Sequence, residues 1–467
     1  MQDSKTNNTL LWLVAVGFFM ETLDATIVNT AIPTMAKDLG VSPLSMQSVV
    51  VSYALTLAVC IPASGWLTDR FGVRKIYLSA ISIFTFGSLL CGLAPNLTTL
   101  IIARVIQAIG GSMMLPVGRL AILRAFPGER YLPALSFVTM PALIGPLIGP
   151  PLGGWISQTF SWHWIFLVNF PIGIAGLFAT YKAMPDDHYT VTRPFDILGF
   201  LQITLFMVSV SVALDAIATK QLSSGLIYFL FIFGFASLAS YALRAVRITS
   251  PLISFKLFED RSFSIGILGN IFSRLGTTSI TFLIPLYLQL TMGHTPLESG
   301  MAMFPIAIAA ILAKRTVTPL VMRYGYRKFL VSNTILCGLT IASFCFLSSI
   351  QNKVILWGIF FLFGIVNSMQ FTAMNTLTMK DLKKEYSSQG NTLFSIVQMM
   401  AMSFSVATAA SLVATFRESF EKADSFHYTF ICMGAITCCS TWIFFQIGRK
   451  TKITQKKLDE LIDQSTN

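Results

Sequence analysis

Charge is what this chain has least of: only 12% of its 467 residues are Asp, Glu, Lys or Arg, against 54% hydrophobic residues and a mean hydropathy of +0.69. A soluble fold of this length could not bury so much apolar surface, so the composition requires a bilayer as solvent. Acids are scarcer than bases, 21 against 33, and the net charge is +12. The bases sit in short clusters between apolar runs rather than along one continuous patch, which argues against a nucleic-acid partner. There are four histidines, and no P-loop, no His-Glu-x-x-His and no Gly-x-Ser-x-Gly, so ATP-driven pumping, metalloprotease and serine-hydrolase chemistry lack sequence support. The seven cysteines, Cys60, Cys91, Cys337, Cys345, Cys432, Cys438 and Cys439, all fall inside apolar runs. That placement reads as packing, with neither a metal site nor a cofactor expected.

What the chain does have is repeated apolar runs of the length that crosses a bilayer core of about 30 Å. The first, from Leu10 through Glu21 and Asp24 to Pro33, is too long and too polar in its middle for a cleavable leader. Spans are predicted near 8–35, 45–67, 76–94, 97–122, 132–156 and 162–183, an inserted pair near 197–218 and 223–245, and six more near 263–291, 298–321, 329–349, 352–378, 388–416 and 426–447. The expected architecture is all-α: a six-helix bundle over 1–183, a linker with two extra helices over 184–255, a second six-helix bundle over 256–447, and a basic tail over 448–467. Fourteen spans with the N-terminus in the cytoplasm leave Lys37, Lys220, Lys353, Arg417 and Lys422 outside. Arg104, Arg274, Lys314 and Arg315 lie deep within spans, and the rest of the 33 bases fall on the cytoplasmic side, as the positive-inside rule asks. Both termini are therefore expected in the cytoplasm. The sequence Arg-Phe-Gly-Val-Arg-Lys at 70–75 recurs as Arg-Tyr-Gly-Tyr-Arg-Lys at 323–328, a parallel repeat of the kind from which rocking transporters are built.

Residues 65–75, Gly-Trp-Leu-Thr-Asp-Arg-Phe-Gly-Val-Arg-Lys, closely resemble the loop between helices two and three of the major facilitator superfamily. The resemblance implies a gating latch at Asp69, Arg70 and Arg74; a topology anchor is the plainer reading. Residues 23–33, Leu-Asp-Ala-Thr-Ile-Val-Asn-Thr-Ala-Ile-Pro, resemble the first-helix motif of the 14-span drug:proton antiporters, the EmrB/QacA subfamily, with departures at Thr30 and Ile32. Residues 104–111, Arg-Val-Ile-Gln-Ala-Ile-Gly-Gly, resemble that family's helix-four motif, except that Ala108 stands where glycine is usual. Residues 145–154, Gly-Pro-Leu-Ile-Gly-Pro-Pro-Leu-Gly-Gly, resemble a motif found in family exporters. It places Gly145, Gly149 and Gly153 on one helix face and bends at Pro146 and Pro150. The phrase at 161–169 fits the same subfamily, with His163 where arginine is expected. Arg274, the Lys314-Arg315 pair, Asn367-Ser368 and the stretch Met374-Asn375-Thr376-Leu377-Thr378, with most of the rest of the chain, resemble MdtD-type transporters.

Ionisable groups in a span are costly and usually functional. Asp24 lies roughly 14 Å below the outer end of its span and Glu21 one turn deeper on the same face. A proton carrier is expected between these two acids. Arg104 could hold Asp24 ionised until the pair separates, could form a purely structural ion pair with it, or could reach to the outer surface. His163 is a weaker candidate relay. Arg274 lies roughly 17 Å into its span, with no acid deep in spans nine to fourteen, so a substrate anion is its expected partner; Asn29, Gln107 and Asn375 are further candidate ligands. Lys314 and Arg315 either line a basic path or reach to the surface. The expected function is proton-coupled export of drug-like molecules, with organic anions, citrate-like or siderophore-like, as the alternative. The partners are protons, a small molecule and lipid, and the EmrB resemblance raises a periplasmic adaptor.

Overall fold

The computed structural model describes residues 2–126, 130–184, 194–219, 222–248, 251–350, 352–382 and 387–448; the basic tail lies outside them. Among these residues there are helices and no strands, because a spanning segment must satisfy its own backbone hydrogen bonds. We number the spanning helices α1 (Gln2–Ile27), α2 (Gln47–Phe71), α3 (Val73–Gly92), α4 (Leu97–Ala125), α5 (Tyr131–Thr159), α6 (His163–Ala183), α7 (Ile197–Thr219) and α8 (Ser224–Ala245). In the second half follow α9 (Arg261–Leu290), α10 (304–324), α11 (326–343), α12 (Lys353–Met379), α13 (Ser387–Phe416) and α14 (Lys422–Cys439).

Thirteen helices are long and apolar enough to cross a membrane, one of them the 54-residue run Pro296–Ser349. That run would be about 80 Å long, far more than one crossing needs. It breaks at Gly325, whose φ of 76° and ψ of 153° are non-helical, so it contributes α10 and α11 and the candidate spans among the described residues number fourteen. Gly72, between α2 and α3, has φ 88° and ψ 154°. The same left-handed bend, open to glycine and strained for other residues, thus sits at both copies of the repeat.

The first predicted span is interrupted. Helix α1 ends at Ile27, passes through the 3-10 turn Val28–Thr30 and restarts as the short helix Ile32–Asp38. Pro33 sits in the first turn of the restart, where its missing N–H is harmless but could not have continued α1. The predicted tenth span likewise begins with a separate helix, Pro296–Ala302, closed by a capping box between Thr295 and Glu298.

The two halves meet at the end opposite Gly72 and Gly325. There Gly154 abuts the backbone of Pro296 and Leu297, and Gly300 abuts that of Pro150 and Pro151. Gln289 Nε2 donates to the Thr30 carbonyl at 2.9 Å, and the Leu297 N–H to Gln158 Oε1 at 3.2 Å. One apolar core there joins Ile27, Ile32 and Met35 to Leu283, Tyr287 and Phe430. The inserted pair touches both halves. Asp215 on α7 accepts from Gln47 Nε2 at 3.0 Å and Ser48 Oγ at 2.7 Å on α2, while Ser411 on α13 donates to the Leu214 carbonyl at 2.7 Å. Helix α8 lies outside α7 and turns Tyr228, Phe229 and Ile232 outward, an apolar face suited to lipid.

Candidate functional site: a buried carboxylate network and an isolated arginine

Helix α1 carries Asp24 into the centre of the first half, where it is 1% exposed. Arg104 on α4 is equally buried, and its Nη1 lies 2.5 Å from Asp24 Oδ2. The other carboxylate oxygen accepts from Gln107 Nε2 at 2.8 Å and Asn169 Nδ2 at 3.1 Å. Both amides also donate to Ser88 Oγ, at 3.1 and 3.0 Å, and Ser88 donates to the Phe166 carbonyl. Gln107 Oε1 accepts from Arg104 Nη1 at 2.8 Å. The guanidinium carbon stands 3.9 Å from the centroid of the Tyr53 ring, a cation–π contact. A charge pair taken out of water is tolerable when its remaining hydrogen-bonding sites are filled, and here four helices fill them.

Glu21 is one turn away and 5% exposed. The charges that act on it are Asp24 and Arg119. Arg119 lies on α4, half-buried, about four turns beyond Arg104 toward the Gly72 end. Sequence reading set Arg119 among the loop-side bases; its position inside a 29-residue helix was the available signal. Asp215 and Asn169 were also missed, because their partners come from other helices.

Helix α5 lays its glycine face on α1: Gly145 meets Thr22 and Leu23, Gly149 meets Thr26, and Gly153 meets Ile27 and Thr30. Pro150 accepts from the Thr30 hydroxyl at 3.0 Å, and Pro146 lies within the same helix. Asn29 is buried in the 3-10 turn, and its Oδ1 has no partner among the described residues. Gln107, read from sequence as a substrate ligand, has both ends of its amide committed to the Asp24 network.

In the second half, Arg274 donates through Nε to Asn270 Oδ1 at 3.0 Å and places its guanidinium 4.3 Å from the centroid of Phe371. Its Nη2 is buried without a partner among the described residues. Asn375 accepts from Gln398 at 3.5 Å, while Lys314 and Arg315 are exposed. At the Gly72 loop, Asp69 faces Arg124 at 3.7 Å, Arg70 lies 5.3 Å from the Trp66 ring, and Arg74 donates to the Tyr181 carbonyl and covers its ring. His163 Nδ1 is paired with Ser161 Oγ at 2.7 Å, and its ring stacks on Trp162.

Fourteen candidate spans among the described residues, two related halves and a buried ion pair describe a transporter body, and the profile of the Major Facilitator Superfamily matches residues 14–406. The chain belongs to that superfamily. It is 43% identical over 447 residues to a Yersinia enterocolitica protein named as a multidrug resistance protein, MdtD, covering 94% of this chain and 95% of the relative. The Serratia proteamaculans protein of the same name is 44% identical over 447 residues, with 94% of each chain covered. Among solved structures, the nucleoside transporter NupG superposes with a TM-score of 0.67 at 12% identity, covering 93% of this chain and 98% of NupG. A POT family transporter in complex with 5-aminolevulinic acid gives 0.68 at 16%, covering 94% and 95%. At those identities the likeness is one of fold. As a superfamily member with these relatives, the protein is a multi-pass transporter of the bacterial inner membrane and not an enzyme.

Proposed function

We propose that the protein exports drug-like small molecules in exchange for protons by alternating access. The observation that carries the reading is the Asp24–Arg104 pair, fully buried and bonded on both carboxylate oxygens. A proton on Asp24 would neutralise one partner, weaken its tie to Arg104 and free α1 to shift against α4. Binding of a ligand can drive such a change only through a difference in its affinity for the two states, and protonation supplies that difference. The Gly72 and Gly325 loops, rich in Arg and Lys, are assigned to the cytoplasm with both termini, so the closed seal is the periplasmic one and the substrate loads from inside. Glu21 would carry the proton on toward the cytoplasm, with the fixed positive charge of Arg119 acting on its carboxylate. The closely packed α1–α5 face would slide as a unit when the seal opens.

The test is proteoliposome flux of a labelled lipophilic cation with and without a proton gradient. Transport that accelerates with the gradient and stops with a protonophore is expected, and gradient-independent flux would overturn proton exchange. The Nη2 of Arg274, without a partner among the described residues, favours a second reading, in which the cargo is an organic anion. Losing a charge-assisted hydrogen bond of about 1.5–3 kcal/mol predicts roughly 10- to 150-fold weaker carboxylate binding in Arg274→Ala. Arg274→Lys should recover part of it, because a lysine offers a point charge in place of the planar fork. Unchanged anion flux in Arg274→Ala would remove this second reading.

A further inference from the structure

A groove of about 420 Å³ opens on the outer surface of the second half, beside the break at Gly325, between α10, α11 and α12. Its chemistry changes along the helices. Tyr324 and Lys328 line it nearest the break, with Phe329 beside them, Leu320, Ser332 and Asn333 come next along the helices, and Leu336 and Met369 lie farthest from Gly325. At 1.5 Å per residue along α11, Lys328 lies about 5 Å, Ser332 about 10 Å and Leu336 about 16 Å beyond Gly325.

The Asn333 amide is committed inward, donating to the Val366 carbonyl and Gln370 Oε1, both at 2.9 Å. Ser332 is exposed in the groove and provides its polar shelf. Arg323, next to the lining residue Tyr324, is a second exposed cation beside the groove, with its guanidinium 5.6 Å from the Tyr324 ring. Arg327 turns the other way, toward Phe445. Among the described residues no carboxylate pairs with Arg323 or Lys328. The nearby Asp381 is held by Lys380 at 3.3 Å and by the Ser262 hydroxyl at 2.7 Å.

We propose that this groove holds one anionic glycerophospholipid. The phosphate sits at Lys328 and Arg323, the glycerol esters at Ser332, and one acyl chain runs along Leu336 and Met369. Along α11 the order from Lys328 through Ser332 to Leu336 is cation, hydroxyl and hydrocarbon, the order of those parts in the lipid, with Leu320 and Phe329 as apolar wall beside them. Two cations with no carboxylate paired to them among the described residues favour a net-negative headgroup over a zwitterionic one. The site is independent of the Asp24 network and of any assignment of cargo.

The experiment is native mass spectrometry of the full chain, purified in detergent and given equal phosphatidylglycerol and phosphatidylcholine with identical acyl chains. Phosphatidylglycerol adducts should dominate. Lys328→Ala should lower them about fivefold, the worth of one basic residue near an anionic lipid. Leu336→Trp should block the tightest-bound lipid, while Lys75→Ala, at the matching loop position of the first half, leaves it in place. Lys328→Ala is a surface change, so its result stands even if the larger tryptophan upsets packing. Equal retention of the two lipids, or equal effects of Lys328→Ala and Lys75→Ala, would overturn the proposal.

Discussion

In the proposed exchange Asp24 and Arg104 serve stability and transport at once, and substitutions can separate the two. Asp24→Asn leaves the Arg104 guanidinium buried without its counter-charge, which costs about 3–5 kcal/mol, so thermal unfolding in detergent should shift sharply down. Proton-driven flux should also stop. The paired change Asp24→Asn with Arg104→Gln removes both charges and should recover most of the stability without recovering driven flux. Wild-type flux in that double variant would show the pair to be structural only. Glu21→Gln should slow driven flux by about a hundredfold, the scale of a lost proton-transfer group, while leaving gradient-free substrate exchange intact. At this scale the sequence was informative where chemistry is rare. A carboxylate and an arginine in apolar helices stand out, whereas Asn169 and Ser88, which complete the network, look like any polar residue in a span.

At the scale of elements, the seal depends on the absence of side chains. Gly154 and Gly300 each lie against the backbone of the opposite half, and a backbone cannot move aside as a side chain can. Gly154→Leu should hold the seal apart. A cysteine introduced at Gln289, which now bonds to Thr30, should then react with a membrane-impermeant maleimide many times faster than in the unaltered seal. Equal labelling rates would show that this contact does not close the end. The glycine spacing of α5 was legible as a packing stripe. That Gly145, Gly149 and Gly153 face α1, while the next residue, Gly154, faces Pro296 on the other half, was not, because spacing gives a face but never its partner. The break of the first span at Ile27 was missed for a similar reason: hydropathy continues through Val28 to Ile32 while the backbone does not.

For the whole molecule, the inserted helices decide more than the length of the chain. Helix α7 bonds to α2 through Asp215 and to α13 through Leu214, so the insert straddles both halves. Asp215→Ala strands the Gln47 and Ser48 donors and should lower stability by about 1–3 kcal/mol, read by chemical denaturation, with the number of protons exchanged per substrate unchanged. A fall in that number would make Asp215 a second carrier. The sequence by itself determined the bilayer as solvent, the count of fourteen spans and the two-fold repeat, because hydropathy, length and the bend at Gly72 and Gly325 are properties of local chain chemistry. It also picked out Asp24, Arg104 and Arg274, since a charge in hydrocarbon is conspicuous wherever it falls. Only the tertiary structure decided that Gln107 serves the carboxylate, that Arg274 keeps a donor without a partner among the described residues, that the seal lies opposite the basic loops and that α7 spans both halves. Each of those depends on which distant helices meet, and one-dimensional periodicity holds no record of that.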